Sequence, residues 1–302
     1  MIKVANFPSA VWDGLTNFRT VRSLNRAPDN EDWDEMLAEV LALETAVYPS
    51  QADSVLWVAP HGVAATATGT ITNPYLTLAA ALAATTSSKK TICVLPGTYT
   101  LAAAVAIPGT LSGIKIIGVG GSSVTTIDQA ADFDAFTYTP AQAALRELTI
   151  EGITVLQYAG KTGLSIDDTG QSVAGITVNL KDVKLTMDTT GDSLDTVHAV
   201  AVAQILNIED CVFTGLADID IVNAADRVTV LNSDVSAAGV TLSAGAVAAI
   251  ATFKYCILKA ANSMTSAAQQ TINSIFCVDE AHTLAATTEL SGGTATEVIV
   301  GS

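Results

Sequence analysis

The chain has 302 residues, of which 49% are hydrophobic, only 5% aromatic and 15% charged. Those proportions describe a narrow core of small and β-branched side chains and exclude a broad aromatic one. Thirty acids against 14 bases give a formal charge of −16, and because nonspecific nucleic-acid binding needs Lys and Arg to neutralise phosphates, no nucleic-acid partner is expected; an acidic surface either keeps a protein soluble or docks on a basic partner.

Residues 1 to about 28 have weak periodicity, with Pro8, Gly14 and Pro28 as breakers and Arg19, Arg22 and Arg26 as a basic cluster. This reads as an extended arm held by something outside the monomer. Its opening, MIKVANFPSAVWDG, lacks the continuous apolar core of a signal peptide, and no run reaches the ~20 apolar residues of a membrane span. The expectation is a protein made in a cytoplasm, with no membrane partner and with other export routes left open.

From Asp29 or Asn30 to Pro49 the pattern is helical. Either residue can cap the helix, and acids crowd the first turn where the helix dipole favours them. Trp33, Met36, Leu37, Val40, Leu41 and Val47 or Tyr48 form one apolar stripe, opposite Glu31, Asp32, Asp34, Glu35, Glu39 and Glu44. Such a stripe packs on the protein's own body or serves assembly, and the adjoining arm favours assembly. Residues 1–50 are therefore read as an attachment segment, with Arg19, Arg22, Arg26, Trp33, Met36, Leu37, Val40, Leu41 and Val47 as its candidate residues.

Residues 51–302 form the body. Val55–Val58 reads as a strand. Asn73-Pro74 predicts the start of a helix over 73–85, with Asn as cap and Pro at the first helical position. Tyr75, Leu78, Ala79 and Leu82 on one face and Leu76, Ala80 and Ala83 on another make it apolar nearly all round, so it is expected to be buried as a cover for one end of the body. Strands follow at Thr91 to Leu95, Ile114 to Gly118 and Val124 to Ile127.

From Leu145 to Val278 one short pattern recurs: IEGITV from Ile150, LKDVKL from Leu180, IEDCVF from Ile208, VLNSDV from Val230, FKYCIL from Phe253 and, more loosely, NSIFCV from Asn273. The anchors lie 30, 28, 22, 23 and 20 residues apart, a period that signals a repeat architecture. Leucine-rich repeats need a Leu frame, a fixed Asn and a helical return, none of which is present. Mixed Ile, Leu, Val and Phe anchors in short segments instead predict coils of short strands. One coil cannot bury its own apolar face, so the coils must stack at ~4.8 Å. The fold class is all-β: a single-stranded parallel β-helix with an N-terminal arm, a short α-helix and an α-helical cap. Residues 283–302, with Gly292-Gly293 and then Glu297-Val-Ile-Val300, are expected to cover the far end as a closing hairpin or strand that pairs with the last coil or with a neighbouring chain.

The order WVAPHG strand, Gly/Thr loop, NPYLTLAAALAA helix, TICVLPGTYT and IKIIGVGG resembles the opening of the pectate-lyase-like right-handed β-helix superfamily, shared by polysaccharide-degrading enzymes and phage tailspikes. The resemblance covers about residues 55–278. It implies that the helix caps the solenoid and that the PGTYT-like strand opens the first coil; it specifies fold and leaves activity open. The segment WDGLTNFRTVRSLNRAPDNEDWDEMLAEVLALE is similar to leader segments of tailed-phage structural proteins, which implies an arm and helix that attach a β-structured body to a particle.

Candidate chemistry is sparse. Lyases of that superfamily pair calcium-binding carboxylates with an Arg or Lys base, but the repeat arginines, Arg146 and Arg227, are separated by two intervening coils. Hydrolysis needs paired carboxylates. Asp167-Asp168 and Asp218/Asp220 are the best candidates; the first two are expected to point apart or to serve a turn, the second two to share a solvated face. His61, His198 and His282 have no acid or nucleophile beside them in a recognisable motif and read as buried or surface structural histidines. Cys93, Cys211, Cys256 and Cys277 read as buried free thiols: Cys211 and Cys256 hold equivalent places two coils apart, roughly 10 Å, too far for a disulfide, and no pair has zinc-ligand spacing. No catalytic residue, metal or cofactor is assigned.

The expected function is that of a non-enzymatic virion protein of a tailed phage, trimeric, decorating the capsid surface and bound to the major capsid protein or another virion protein. The rival is a tailspike or fibre module that binds or cleaves host surface polysaccharide, which predicts exposed aromatics and a row of carboxylates. A bacterial adhesin is a further alternative, disfavoured by the missing export signal.

Overall fold

The computed structural model describes residues 54–300 apart from 65, 142–145, 171–174, 188–190, 199–201, 236–239, 245–249, 259–270, 276 and 280–297. The arm, the first helix and the nine attachment candidates from Arg19 to Val47 lie outside the described residues. The described residues from Leu56 onward belong to one compact unit.

The body is a parallel β-helix built of three strand ladders. The first ladder takes Val55–Val58, Thr91–Val94, Ile114–Gly118, the leading half of Arg146–Gln157, the leading half of Ile176–Met187, Gln204–Glu209, Arg227–Leu231, Ile250–Lys254, Thr271–Ile275 and Val298–Val300 in that order. The second takes Gly97–Thr100, Thr125–Asp128, the trailing halves of the same two long strands, Val212–Phe213, Asp234–Val235, Ile257–Leu258 and Val278–Asp279. The third takes Val105–Ile107, Phe136–Tyr138, Leu164–Asp167, Asp192–Val197, Leu216–Ile221 and Val240–Ala244. Each circuit of the chain crosses the ladders once and climbs one strand spacing, ~4.8 Å. Rungs are counted here from Val55–Val58.

Register explains the sequence pattern. Ile92, Ile116, Ile150, Leu180, Ile208, Val230 and Phe253 occupy one column of the first ladder, and none is more than 2% exposed. Five of the six anchors read from the sequence thus stand directly over one another. The sixth is shifted: Phe253 pairs with Ser274, and Asn273 stands beside Thr252. With a polar residue at the anchor position, that unit had lost the marker by which the pattern is aligned. Tyr99, Ile127, Val155, Leu185 and Phe213 make the matching buried column of the second ladder. Val105, Phe136, Leu164, Leu194, Ala217 and Val240 make that of the third.

Outside the first ladder a polar column runs through Thr149, Asn179, Asn207, Thr229 and Thr252. Asn207 Nδ2 donates to Asn179 Oδ1 at 2.8 Å, and Asn179 Nδ2 reaches Thr149 Oγ1 at 3.4 Å. Stacked like residues hydrogen-bond along the coil axis because the parallel register brings each over the next.

The corner between first and second ladders is made by one residue of positive φ on each of five successive rungs: Gly152 (68°), Asp182 (48°), Asp210 (55°), Asn232 (49°) and Tyr255 (56°). Gly, Asp and Asn enter the left-handed region at least cost, which is why the third place of the repeat carries them. Tyr255 is the costly exception. The residue stays 53% exposed, with Lys254 Nζ 4.9 Å from the ring centroid.

Three expectations change. The helix runs only over Leu78–Ala83, with Thr77 as its cap, whose side chain accepts the Ala80 N–H at 3.2 Å. Asn73 is spent elsewhere: its backbone N–H donates to Thr70 and its amide to Thr66 at 2.8 Å, and Tyr75 bridges Val58. Nor is the helix buried all round, since Leu78, Ala81 and Leu82 face in while Leu76, Ala79 and Ala83 face out. Cys93 is only half-buried, because strand alternation gives the interior to Ile92 and Val94; Cys211, Cys256 and Cys277 are buried, and none of the four is in a disulfide. Val298–Val300 pairs in parallel with Thr271–Ile275 as a further rung; the rest of the expected closing segment lies outside the described residues.

Candidate functional site

The third ladder is where acidic side chains gather. In Leu216–Ile221 strict alternation buries Ala217, Ile219 and Ile221 and turns Asp218 and Asp220 outward, so the expected shared face of these two acids is present. The preceding rung breaks alternation. A bulge between Asp192 and Leu194 sends both Ser193 and Leu194 inward, which leaves Asp192 and Asp195 on the outer face although they are three apart in sequence. Ser193 holds the bulge by donating to the Leu185 carbonyl at 3.2 Å and accepting the Gly215 N–H at 2.8 Å. Asp195 then lies in register with Asp218, one strand spacing away at ~4.8 Å.

Like charges at that spacing oppose ionisation. Burial, followed by the charges of Asp192, Asp218, Asp220 and Asp134, pushes the Asp195 carboxyl up to about 6. Burial and Asp218 likewise raise Asp192. A carboxyl raised in this way with a second carboxyl beside it is the kind of pair that acid–base work on a glycosidic bond employs. Aromatic surface beside it is scarce: among the described residues the large exposed aromatics are Tyr158 and Tyr255, at 43% and 53%.

At the next corner, between third and first ladders, the structure assembles a cluster the sequence did not announce. Asp168 follows Leu164–Asp167 on the fourth rung, His198 follows Asp192–Val197 on the fifth, and Asp226 precedes Arg227–Leu231 at the close of the sixth. His198 Nδ1 lies 2.8 and 2.7 Å from the two carboxylate oxygens of Asp168, and Nε2 lies 3.0 Å from Asp226 Oδ1. None of the three side chains is more than 1% exposed. Asp226 also accepts the N–H groups of Gln204 (2.8 Å), Val222 (2.9 Å) and Asn223 (2.7 Å). Burial alone would lower the imidazole pKa; hydrogen bonds to Asp168 and Asp226, with their charges, outweigh it and raise the group to about 9.

This corrects one expectation and adds to another. Asp168 is fully buried, not a turn or surface residue, whereas Asp167 is the turn residue, accepting the Thr169 N–H at 3.0 Å and the Thr169 hydroxyl at 2.6 Å. His198 does have acids beside it, 30 and 28 residues away in sequence. That spacing is close to the repeat period, the one signal that could have found the cluster. Asp192 and Asp195 were missed because the bulge hides their common face.

Arg146 and Arg227 stay apart, on the fourth and seventh rungs, and both serve the backbone: Arg146 Nε donates to Ala141, and Arg227 Nη1 to Ala224 and Asp226. His61 is exposed, and His282 lies outside the described residues. Among the described residues no group of three or more His, Cys, Asp or Glu is arranged to hold a metal ion, and no helix is long and apolar enough to cross a membrane.

Ladders, register and corners define the class: a three-ladder parallel β-helix with an acidic outer face. Comparison with models of known protein families, with curated proteins and with solved structures finds no match.

Proposed function

We propose that this chain is a non-enzymatic structural protein of a tailed-phage particle that decorates the capsid surface, with the β-helix as its body and residues 1–50 as its attachment segment. The observation that carries the reading is the unbroken column from Ile92 to Phe253, a rod whose side chains are committed to stacking. The resemblance of its opening to the pectate-lyase-like superfamily, and of its N-terminal segment to phage leader segments, gives that rod a particle to sit on. The net charge of −16 suits a basic docking surface. Bound as a trimer across capsid subunits, the protein raises the free energy of disassembly by mass action. Deleting residues 1–50 is expected to abolish capsid binding and trimer formation while leaving the β-rich circular dichroism spectrum. A truncated chain that still trimerises and decorates particles defeats the assignment.

A second reading has its own observation. The Asp195–Asp218 pair, with Asp195 held near pH 6, favours a tailspike or fibre module that cleaves acidic surface polysaccharide. Depolymerisation of host glycan by the full chain, lost in Asp195→Asn, selects this reading over decoration.

A further inference from the structure

We propose that Asp168, His198 and Asp226 form a protonation-dependent clasp that ties three successive rungs together where the third ladder turns back to the first, and that removing the imidazole proton loosens the coil at this corner. The inference holds for either functional reading, because it concerns the rod itself.

The geometry calls for a doubly protonated ring. Asp226 is surrounded by donors: three backbone N–H groups from Gln204, Val222 and Asn223 converge on its two oxygens, and a carboxylate so placed acts as an acceptor. The imidazole nitrogen facing it at 3.0 Å must therefore donate. The opposite nitrogen sits between both oxygens of Asp168, at 2.7 and 2.8 Å, and must donate as well. A neutral imidazole has one N–H and one lone pair. With the three side chains no more than 1% exposed, its lone pair would face a carboxylate oxygen, which is costly in a low-dielectric interior.

The groups turned towards the imidazole reinforce the point. Asp168 comes from the fourth rung and Asp226 from the sixth, and Asp220 on the sixth accepts the His198 backbone N–H at 3.4 Å. The guanidinium of neighbouring Arg227 is directed at carbonyls. The charge around the ring is thus predominantly negative, and the ring is the cation that balances it. The clasp also reaches the backbone at strand starts: Asp226 Oδ1 holds the N–H of Gln204, the first residue of Gln204–Glu209, and Asp226 Oδ2 holds the bend at Val222 and Asn223 that leads to Arg227–Leu231. Losing the proton therefore disturbs the entry to two rungs.

The sign follows from linkage. The folded imidazole titrates near 9 and the unfolded one near 6.5, so the stabilisation is complete below about 6.5 and is lost as pH rises through 9. The test is denaturant unfolding of the full chain at pH 6 to 10, with His198→Gln in parallel. The wild-type unfolding constant, divided by that of the variant, is expected to rise on the order of 100-fold across this range. A ratio that stays constant overturns the proposal. Should His198→Gln fail to fold, the doubly substituted His61→Asn, His282→Asn chain leaves His198 as the single imidazole for proton NMR. A titration midpoint above 8 supports the clasp, and a midpoint at or below 6.5 overturns it.

Discussion

Two corners of the same coil are turned by different physics. Between first and second ladders the chain bends at a single left-handed residue per rung, and Gly152, Asp182, Asp210, Asn232 and Tyr255 each do this with their own backbone. Between third and first ladders the fourth, fifth and sixth rungs are held by side chains that reach one another across the coil, Asp168 to His198 to Asp226. The first device is local and repeats; the second is shared among rungs and occurs once among the described residues. The difference teaches that a solenoid can obtain a bend from backbone preference alone, but fixes one rung against the next with buried polar groups whose failure is not confined to one residue.

The comparison is broken most severely at the shared corner. Asp226→Ala leaves an imidazolium and three backbone N–H groups without their acceptor, and removal of one partner of a buried charge pair costs about 3–5 kcal/mol. Urea unfolding at pH 7 should show this loss; a loss under ~1 kcal/mol would place the cluster with ordinary surface ion pairs. At the local corner a substitution acts on one residue. Tyr255→Asn exchanges a bulky left-handed residue for one that tolerates that conformation, while the half-exposed residue gives up little packing. A gain of about 1 kcal/mol in stability is expected from relieved backbone strain, read as a higher urea midpoint with unchanged slope.

The smallest effect belongs to the acidic face just before the shared corner. Asp195 titrates near 6 in the fold against a reference of 3.8, so the folded state binds this proton more tightly than the unfolded one. Its ionisation destabilises the fold above pH 6, and stability from this group is regained as pH falls from about 6 towards 4. Asp195→Asn should raise stability at pH 7, by about 1 kcal/mol or less once solvent screening is allowed for, and should flatten the pH 4–7 profile measured by thermal unfolding. A wild-type profile that falls steadily over that range, with no difference from the variant, would show that Asp195 is not under the pressure of its neighbours.

How far each region was legible follows from the same contrast. The inward columns were readable because burial selects apolar residues at a fixed place in every coil: Ile150, Leu180, Ile208, Val230 and Phe253 stand in register as their spacing indicates. Where the marker was polar, at Ser274, the alignment slipped by one residue. Asp218 and Asp220 were legible because an unbroken strand alternates. Asp192 and Asp195 were not, because a bulge depends on what Ser193 and Leu194 find to pack against. The helix expected from Asn73-Pro74 fell to a tertiary competitor, since Tyr75 was drawn into a bridge with Val58 and left Thr77 to cap a shorter helix.

Sequence alone determined that this chain stacks, since short apolar units that cannot bury themselves leave no other arrangement. Only the tertiary structure decided which polar residues are buried and whom they meet. Asp167 and Asp168 are neighbours of the same type, yet one is held at a turn by Thr169 and the other is sealed against His198. Partners 28 and 30 residues apart become adjacent only when the coil has closed, because register along the axis, and not proximity along the chain, sets their distance.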